Sequence, residues 1–116
     1  MDFINAGHKN HLRRKLKLLA VKETDDVLRK LRKVYPQLKP MSVVYEDVPT
    51  TDMLKCGIKI ESESAYDNDK QELTLFLFNI YMLVENDAGD FRRRIRMAIL
   101  ERAGGITGEV LEENDD

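Results

Sequence analysis

His8 and His11 are the two histidines of this 116-residue chain, and they stand three residues apart. On a helix that spacing brings both imidazoles to one face, where they offer two of the ligands a zinc ion takes. A structural zinc site needs four protein ligands and a catalytic one three plus a water, and no Cys, Asp or Glu stands beside the pair to complete either set. The one cysteine, Cys56, has no partner for an internal disulfide. With Leu54 and Ile58 around it and no His beside it, it reads as a small buried apolar residue on a strand rather than a reactive thiol. Glu61 and Glu63 would share one face of a strand. General acid–base work by such a pair requires a pocket that shifts a pKa, and acids on an exposed strand serve solubility instead. No Gly-rich phosphate loop leads into a helix, and no Ser nucleophile elbow or Cys–His pairing occurs. The sequence therefore carries no complete catalytic or metal-binding site, and neither a metal nor a cofactor is expected.

Cations are the other chemistry on offer. Arg13-Arg14-Lys15, Arg29 to Lys33, and Arg92-Arg93-Arg94-Ile95-Arg96 are basic runs of the kind that neutralise phosphates. The formal net charge is −2, but the charges are sorted along the chain. Residues 1–39 carry 11 Lys or Arg against 4 acids, residues 40–91 carry 3 against 11, residues 92–102 carry 5 against 1, and the last 14 residues carry none against 5. Few aromatic residues lie near the basic runs to stack on bases. The candidate binding surface is Arg13, Arg14, Lys15, Arg29, Lys30, Arg92, Arg93 and Arg94. These cations either pair with the domain's own acids or meet an acidic partner, a protein or a second copy of the chain, with nucleic acid as the alternative.

These side chains need elements to position them. Leu12, Leu16 and Leu19 recur at helical spacing from about Asn10 to Ala20. Thr24-Asp25-Asp26 supplies a helix start, and Val27, Leu28, Leu31, Val34 and Tyr35 continue the apolar face until Pro36 ends it. Whether Val21-Lys22-Glu23 separates two helices is left open by the pattern. Met41 to Tyr45 is apolar and β-branched, Leu54 to Ile60 alternates with period two, and Leu73 to Phe78 is apolar but for Thr74, so three strands are expected. Glu61 to Gln71 reads as a loop and Asn79 to Glu85 as a short helix. Asn86-Asp87-Ala88-Gly89-Asp90 offers turn and capping chemistry for a last helix whose face is Phe91, Ile95, Ala98 and Ile99, ending near Ala103 before Gly104-Gly105. The expectation is one α+β domain over 1–116: N-terminal helices, a small three-stranded sheet, antiparallel or mixed, and a C-terminal helix, with 109–116 a frayed acidic tail. The longest apolar run, within Leu73 to Val84, is too short and too polar to span a bilayer. The N-terminus lacks the pattern of a secretory signal, so a cytoplasmic protein without a membrane partner is expected.

The order of these elements, with certain short motifs, resembles the minimal zincin-like metallopeptidase family. Val43-Val44-Tyr45-Glu46-Asp47-Val48-Pro49 is similar to that family's V-x-V-E-D-x-P strand end, and Glu72-Leu73-Thr74-Leu75-Phe76 to its I-T-L-Y strand. Asp90 to Leu100 resembles the charged helix that leads into the family's H-E-x-G-H-H-x-G-x-x-D metal motif. The resemblance covers roughly residues 38–116 and implies a zincin-like fold. It also implies where the chemistry has been lost. Glu101 and Gly105 stand at the first two zinc-ligand positions, Arg102 at the catalytic Glu, and Leu111 at the third ligand, with only Gly104 and Gly108 kept from the motif. A zinc hydrolase needs three ligands, an open position for water and a carboxylate base, and a guanidinium at the base position repels a divalent cation. The resemblance thus implies a pseudoenzyme, and the sorted charge together with the missing site leads to the expectation of a protein acting by protein–protein contact through its basic helices. A nucleic-acid-binding module using the basic helices, and a metal-dependent hydrolase with a site rebuilt from other residues, are the alternatives.

Overall fold

The structure, a computed structural model, describes residues 6–37 and 41–103, and side chains from Lys9 onward. The tail expected over 109–116 lies outside the described residues. A 29-residue helix, α1 (Ala6–Val34), is followed by strand β1 (Ser42–Glu46), the one-turn helix α2 (Thr51–Lys55), strands β2 (Ser64–Asp67) and β3 (Glu72–Phe76), and helices α3 (Leu77–Leu83) and α4 (Ala88–Arg102). The strands form one mixed sheet in the order β1-β3-β2, parallel between β1 and β3 and antiparallel between β2 and β3. The fold is α+β, as the sequence pattern requires.

The apolar spacing of α1 runs unbroken through Val21-Lys22-Glu23. Leu16, Ala20, Val27 and Leu31 all fall on one side of a single helix, and all are fully buried. Thr24 is therefore not a helix cap. It lies mid-helix on the buried side, where its hydroxyl has no hydrogen-bond partner among the described residues. Packing of the continuous apolar face outweighs the local capping preference of Thr-Asp-Asp.

Leu54 to Ile60 is a correction. The alternation there looks like a strand, but Thr50 Oγ1 accepts from the Met53 amide at 3.2 Å and Asp52 sits in the first turn, so the chain begins a helix. That helix is stopped by Gly57, at φ +99°. Leu54 and Ile60 are exposed, and so is Cys56, against the expectation of a buried thiol. The missing strand comes from the segment read as a loop. Ser64–Asp67 pairs with β3 through a turn in which Asp67 Oδ1 accepts from the Asp69 and Lys70 amides, at 2.9 and 3.1 Å. Turn chemistry was legible in Asp67-Asn68-Asp69, but the flanking Ser-Ala-Tyr carries no strong strand pattern of its own.

β3 is the central strand, and Leu73 to Phe76 are all buried. Leu73 and Leu75 join Leu77 and Ile80 of α3 and Phe91, Ile95, Ile99 and Leu100 of α4 against the buried side of α1. Phe76 is also fully buried but stands outside that cluster, on the alternate face of the sheet. β3 passes straight into α3 at Leu77, earlier than the apolar run suggested. The Phe78 amide donates to the Asp47 carbonyl at 3.0 Å, tying this junction to the end of β1. Asn79 Nδ2 donates to the carbonyls of Ile60 and Ser62, both at 2.8 Å, and pins the preceding turn to α3.

The corner between α3 and α4 is built from backbone bonds. After α3 the amide of Glu85 donates to Met82 and that of Asn86 to Tyr81, with Glu85 and Asn86 at φ 53° and 65°. This is the double bond pattern that satisfies the last helical carbonyls. Asp87 then caps α4, its Oδ1 accepting from the Asp90 amide at 2.8 Å.

Candidate functional site

Arg102 occupies the last turn of α4. Its guanidinium lies over the ring of Tyr66 on the edge strand β2, 4.5 Å from the ring centre. That is a cation–π contact holding the helix end against the sheet edge. Glu101 is exposed, and Gly104, Gly105, Gly108 and Leu111 lie outside the described residues. His11 is exposed on α1 and the side chain of His8 is outside the described set. Among the described residues no three His, Cys, Asp or Glu side chains are grouped so as to hold a metal ion.

Glu61 and Glu63 do not share a strand face. Glu61 is exposed in the turn, and Glu63, next to the start of β2, accepts both arms of Arg94 from α4, at 3.0 and 2.8 Å. A bidentate guanidinium–carboxylate pair of this kind fixes geometry as well as charge. Both partners are over a third exposed, so its contribution to stability is that of a surface pair, about 0–1 kcal/mol.

The candidate cations separate into two groups. Arg13 pairs with Asp47 at 2.7 Å, Arg29 and Lys30 with Asp26 at 2.6 and 3.0 Å, and Arg93 with Asp90 at 2.6 Å. Burial opposes ionisation of Asp26, yet the hydrogen bonds and charges of Lys30 and Arg29 outweigh it and hold the carboxyl below its ordinary value of 3.8. Arg96 reaches Glu23 of α1 at 3.7 Å. The opposite charges of the helices and of the central segment thus meet inside one molecule. Arg14, Lys15 and Arg92 take part in no ion pair among the described residues.

A helix turns by about 100° per residue, and that rotation sorts the surface of α1. His11, Arg14, Lys15, Leu18, Lys22, Asp25, Arg29, Arg32 and Lys33 fall on the side opposite Leu16, Ala20, Val27 and Leu31, and all nine are exposed. This is a basic stripe along roughly 33 Å of helix. Leu18, 57% exposed, is its one apolar member. Its cations Arg14, Lys15, Lys22, Arg32 and Lys33 carry no ion pair among the described residues.

Two concavities border these groups. One, of about 270 Å³, is lined by Arg13, Lys17, Tyr45, Glu46, Asp47 and Leu77 at the C-terminal end of the parallel strand pair. Burial raises the Tyr45 phenol above its ordinary value of 10.0; the neighbouring Thr24 hydroxyl acts against that shift, and the charge of Asp25 adds to it. Thr24 Oγ1 has no partner at hydrogen-bonding geometry, so burial of the Tyr45 phenol sets the direction of its shift. The other is an open groove of about 720 Å³ between α3 and α4. Its floor is Leu83, Val84 and Met97, with Glu85, Asp87 and Asp90 on its rim and Arg93 and Arg94 beside them. The sequence pattern does not single out Leu83 and Met97, since an apolar residue in a helix reads first as core, nor Glu85, an acid at the end of the short helix. The one available signal is that Met97 falls off the Phe91–Ile95–Ile99 spacing.

No helix among the described residues is long and apolar enough to cross a membrane. Comparison of the chain with protein-family models, curated proteins and solved structures finds no match.

Proposed function

We propose that this is a non-catalytic cytoplasmic protein on a zincin-like scaffold, and that it works by binding an acidic protein partner through the outward stripe of α1. The stripe is the observation that carries the reading. Five cations without ion pairs among the described residues lie along one helix face, and an exposed leucine in their midst supplies an apolar contact of the kind that protein interfaces bury. Loss of catalysis is supported by Arg102, which stands where the resemblance calls for a carboxylate base and lies on Tyr66.

Nucleic acid is the second reading, favoured by the same line of cations. Against it, the stripe holds no Phe, Tyr or Trp to stack on a base, and His11 is its one ring. Titration of the chain with an oligoglutamate peptide and with a DNA duplex separates the two. Neutralisation of phosphates by five cations gives a log–log salt slope of about −4.5 (five times −0.9) for duplex DNA. Tight DNA binding with that slope, together with no binding of the peptide, overturns the protein reading. Stoichiometric zinc by elemental analysis, or chelator-sensitive cleavage of a peptide library, overturns the non-catalytic one and returns the rebuilt hydrolase.

A further inference from the structure

The stripe and the groove are complementary surfaces on one molecule that cannot meet within it. The stripe lies on the side of α1 facing away from α3 and α4, because the opposite side packs against those helices. Both surfaces expose apolar side chains at their centres: Leu18 on the stripe, and Leu83 and Met97, 52% and 51% exposed, on the floor of the groove. Around Leu18 stand Arg14, Lys15 and Lys22. Around the floor stand Glu85 and Asp87, which enter no ion pair among the described residues, while the groove's cations are already held, Arg93 by Asp90 and Arg94 by Glu63.

We propose that the partner of the stripe is a second copy of this chain, with Leu18 seated on Leu83, Val84 and Met97 and the flanking cations facing Glu85 and Asp87. This rests on the stripe being the functional contact and adds the identity of what it touches. Lys15 and Lys22 lie about 10 Å apart along the helix axis, one on each side of Leu18, so a cation flanks the apolar contact whichever end of it faces Glu85 and Asp87. The stripe faces away from the helices that carry the groove, so one partner does not fill both surfaces of a copy and the interface is head-to-tail. Each copy keeps a free stripe at one end and a free groove at the other, and assembly continues into a ring or an open chain rather than stopping at a two-fold dimer.

The test is the mass of the full chain by light scattering and sedimentation, over concentration and salt. Two variants change only exposed residues, and circular dichroism checks that they fold. Lys15→Ala/Leu18→Ala/Lys22→Ala removes the stripe, and Glu85→Lys/Met97→Lys turns the groove against it. The expected result is a parent chain that grows beyond a dimer with concentration and dissociates as salt rises, two variants that are each monomeric, and an equimolar mixture that forms a 1:1 dimer and nothing larger. The dimer is diagnostic, since the first variant keeps the groove and the second keeps the stripe. A monomeric parent, association surviving in either variant, or a mixture that stays monomeric overturns the inference. Oligoglutamate binding by Glu85→Lys/Met97→Lys keeps the two claims apart. If that variant binds the peptide but the parent does not self-associate, the homotypic contact is wrong and the acidic-partner reading stands; if neither occurs, both fall.

Discussion

Phe91→Ala tests the corner on which the α3–α4 groove depends. Phe91 is fully buried in the first turn of α4, and its ring meets that of Tyr81 on α3 edge-on, with centres 5.9 Å apart and planes at 85°. Removing a buried phenyl ring forfeits its transfer free energy and leaves a cavity the neighbours only partly fill, for a loss of about 3–5 kcal/mol. The edge-to-face contact accounts for about 0.5–1.5 kcal/mol of that. A domain of this size is stable by about 5–15 kcal/mol, so the variant sits close to the folding threshold. Urea unfolding followed by far-ultraviolet circular dichroism reads the change as a shift in midpoint at constant m. A cycle with Tyr81→Leu isolates the ring pair. A loss below about 2 kcal/mol, outside the range for a fully enclosed ring, refutes the placement of Phe91 in the core. Additive single losses refute the edge-on contact.

Three further perturbations probe the same molecule. Asp87→Ala removes the cap of α4 and lowers stability by about 1 kcal/mol, while Asp87→Asn retains most of it; equal losses in the two would show that the cap bond contributes nothing. Arg102→Ala and Tyr66→Leu couple in a double-mutant cycle by about 0.5–1 kcal/mol, and Tyr66→Phe leaves the coupling intact because the ring face, not the hydroxyl, receives the guanidinium. Tyr45 keeps its proton in the folded state at pH values where the unfolded chain has released it. Its contribution is complete below the ordinary value of 10.0 and is lost as pH rises above it. Unfolding free energies measured from pH 8 to 11 should fall less steeply in Tyr45→Phe than in the parent, and parallel curves would refute the linkage.

Where one periodicity spans a whole element, the sequence suffices. Leu16, Ala20, Val27 and Leu31 place one side of α1 in the core, and Phe91, Ile95 and Ile99 do the same for α4, because helical spacing and burial against a neighbour are the same constraint seen twice. The run Leu73 to Phe76, apolar but for Thr74, likewise marks β3 as the strand buried on both faces. Short segments are different. Leu54 to Ile60 has strand periodicity, yet a Thr cap and a glycine at positive φ direct it into a helix and a turn; Ser64 to Asp67 has little strand character but becomes β2 by pairing with β3.

Chemistry divides along the same line. Residue identity alone determines that the His8/His11 pair has no ligand beside it in sequence, because no packing supplies an absent functional group. Which cations are engaged was decided by tertiary structure. Arg94 finds Glu63 and Arg13 finds Asp47 across 31 and 34 residues of chain, whereas Arg14, Lys15 and Lys22 remain outward on α1. Helical spacing already pairs Asp26 with Arg29 and Lys30 and Asp90 with Arg93, but charges interact through space, so partners far apart in sequence are set only when the fold brings them within a few ångströms.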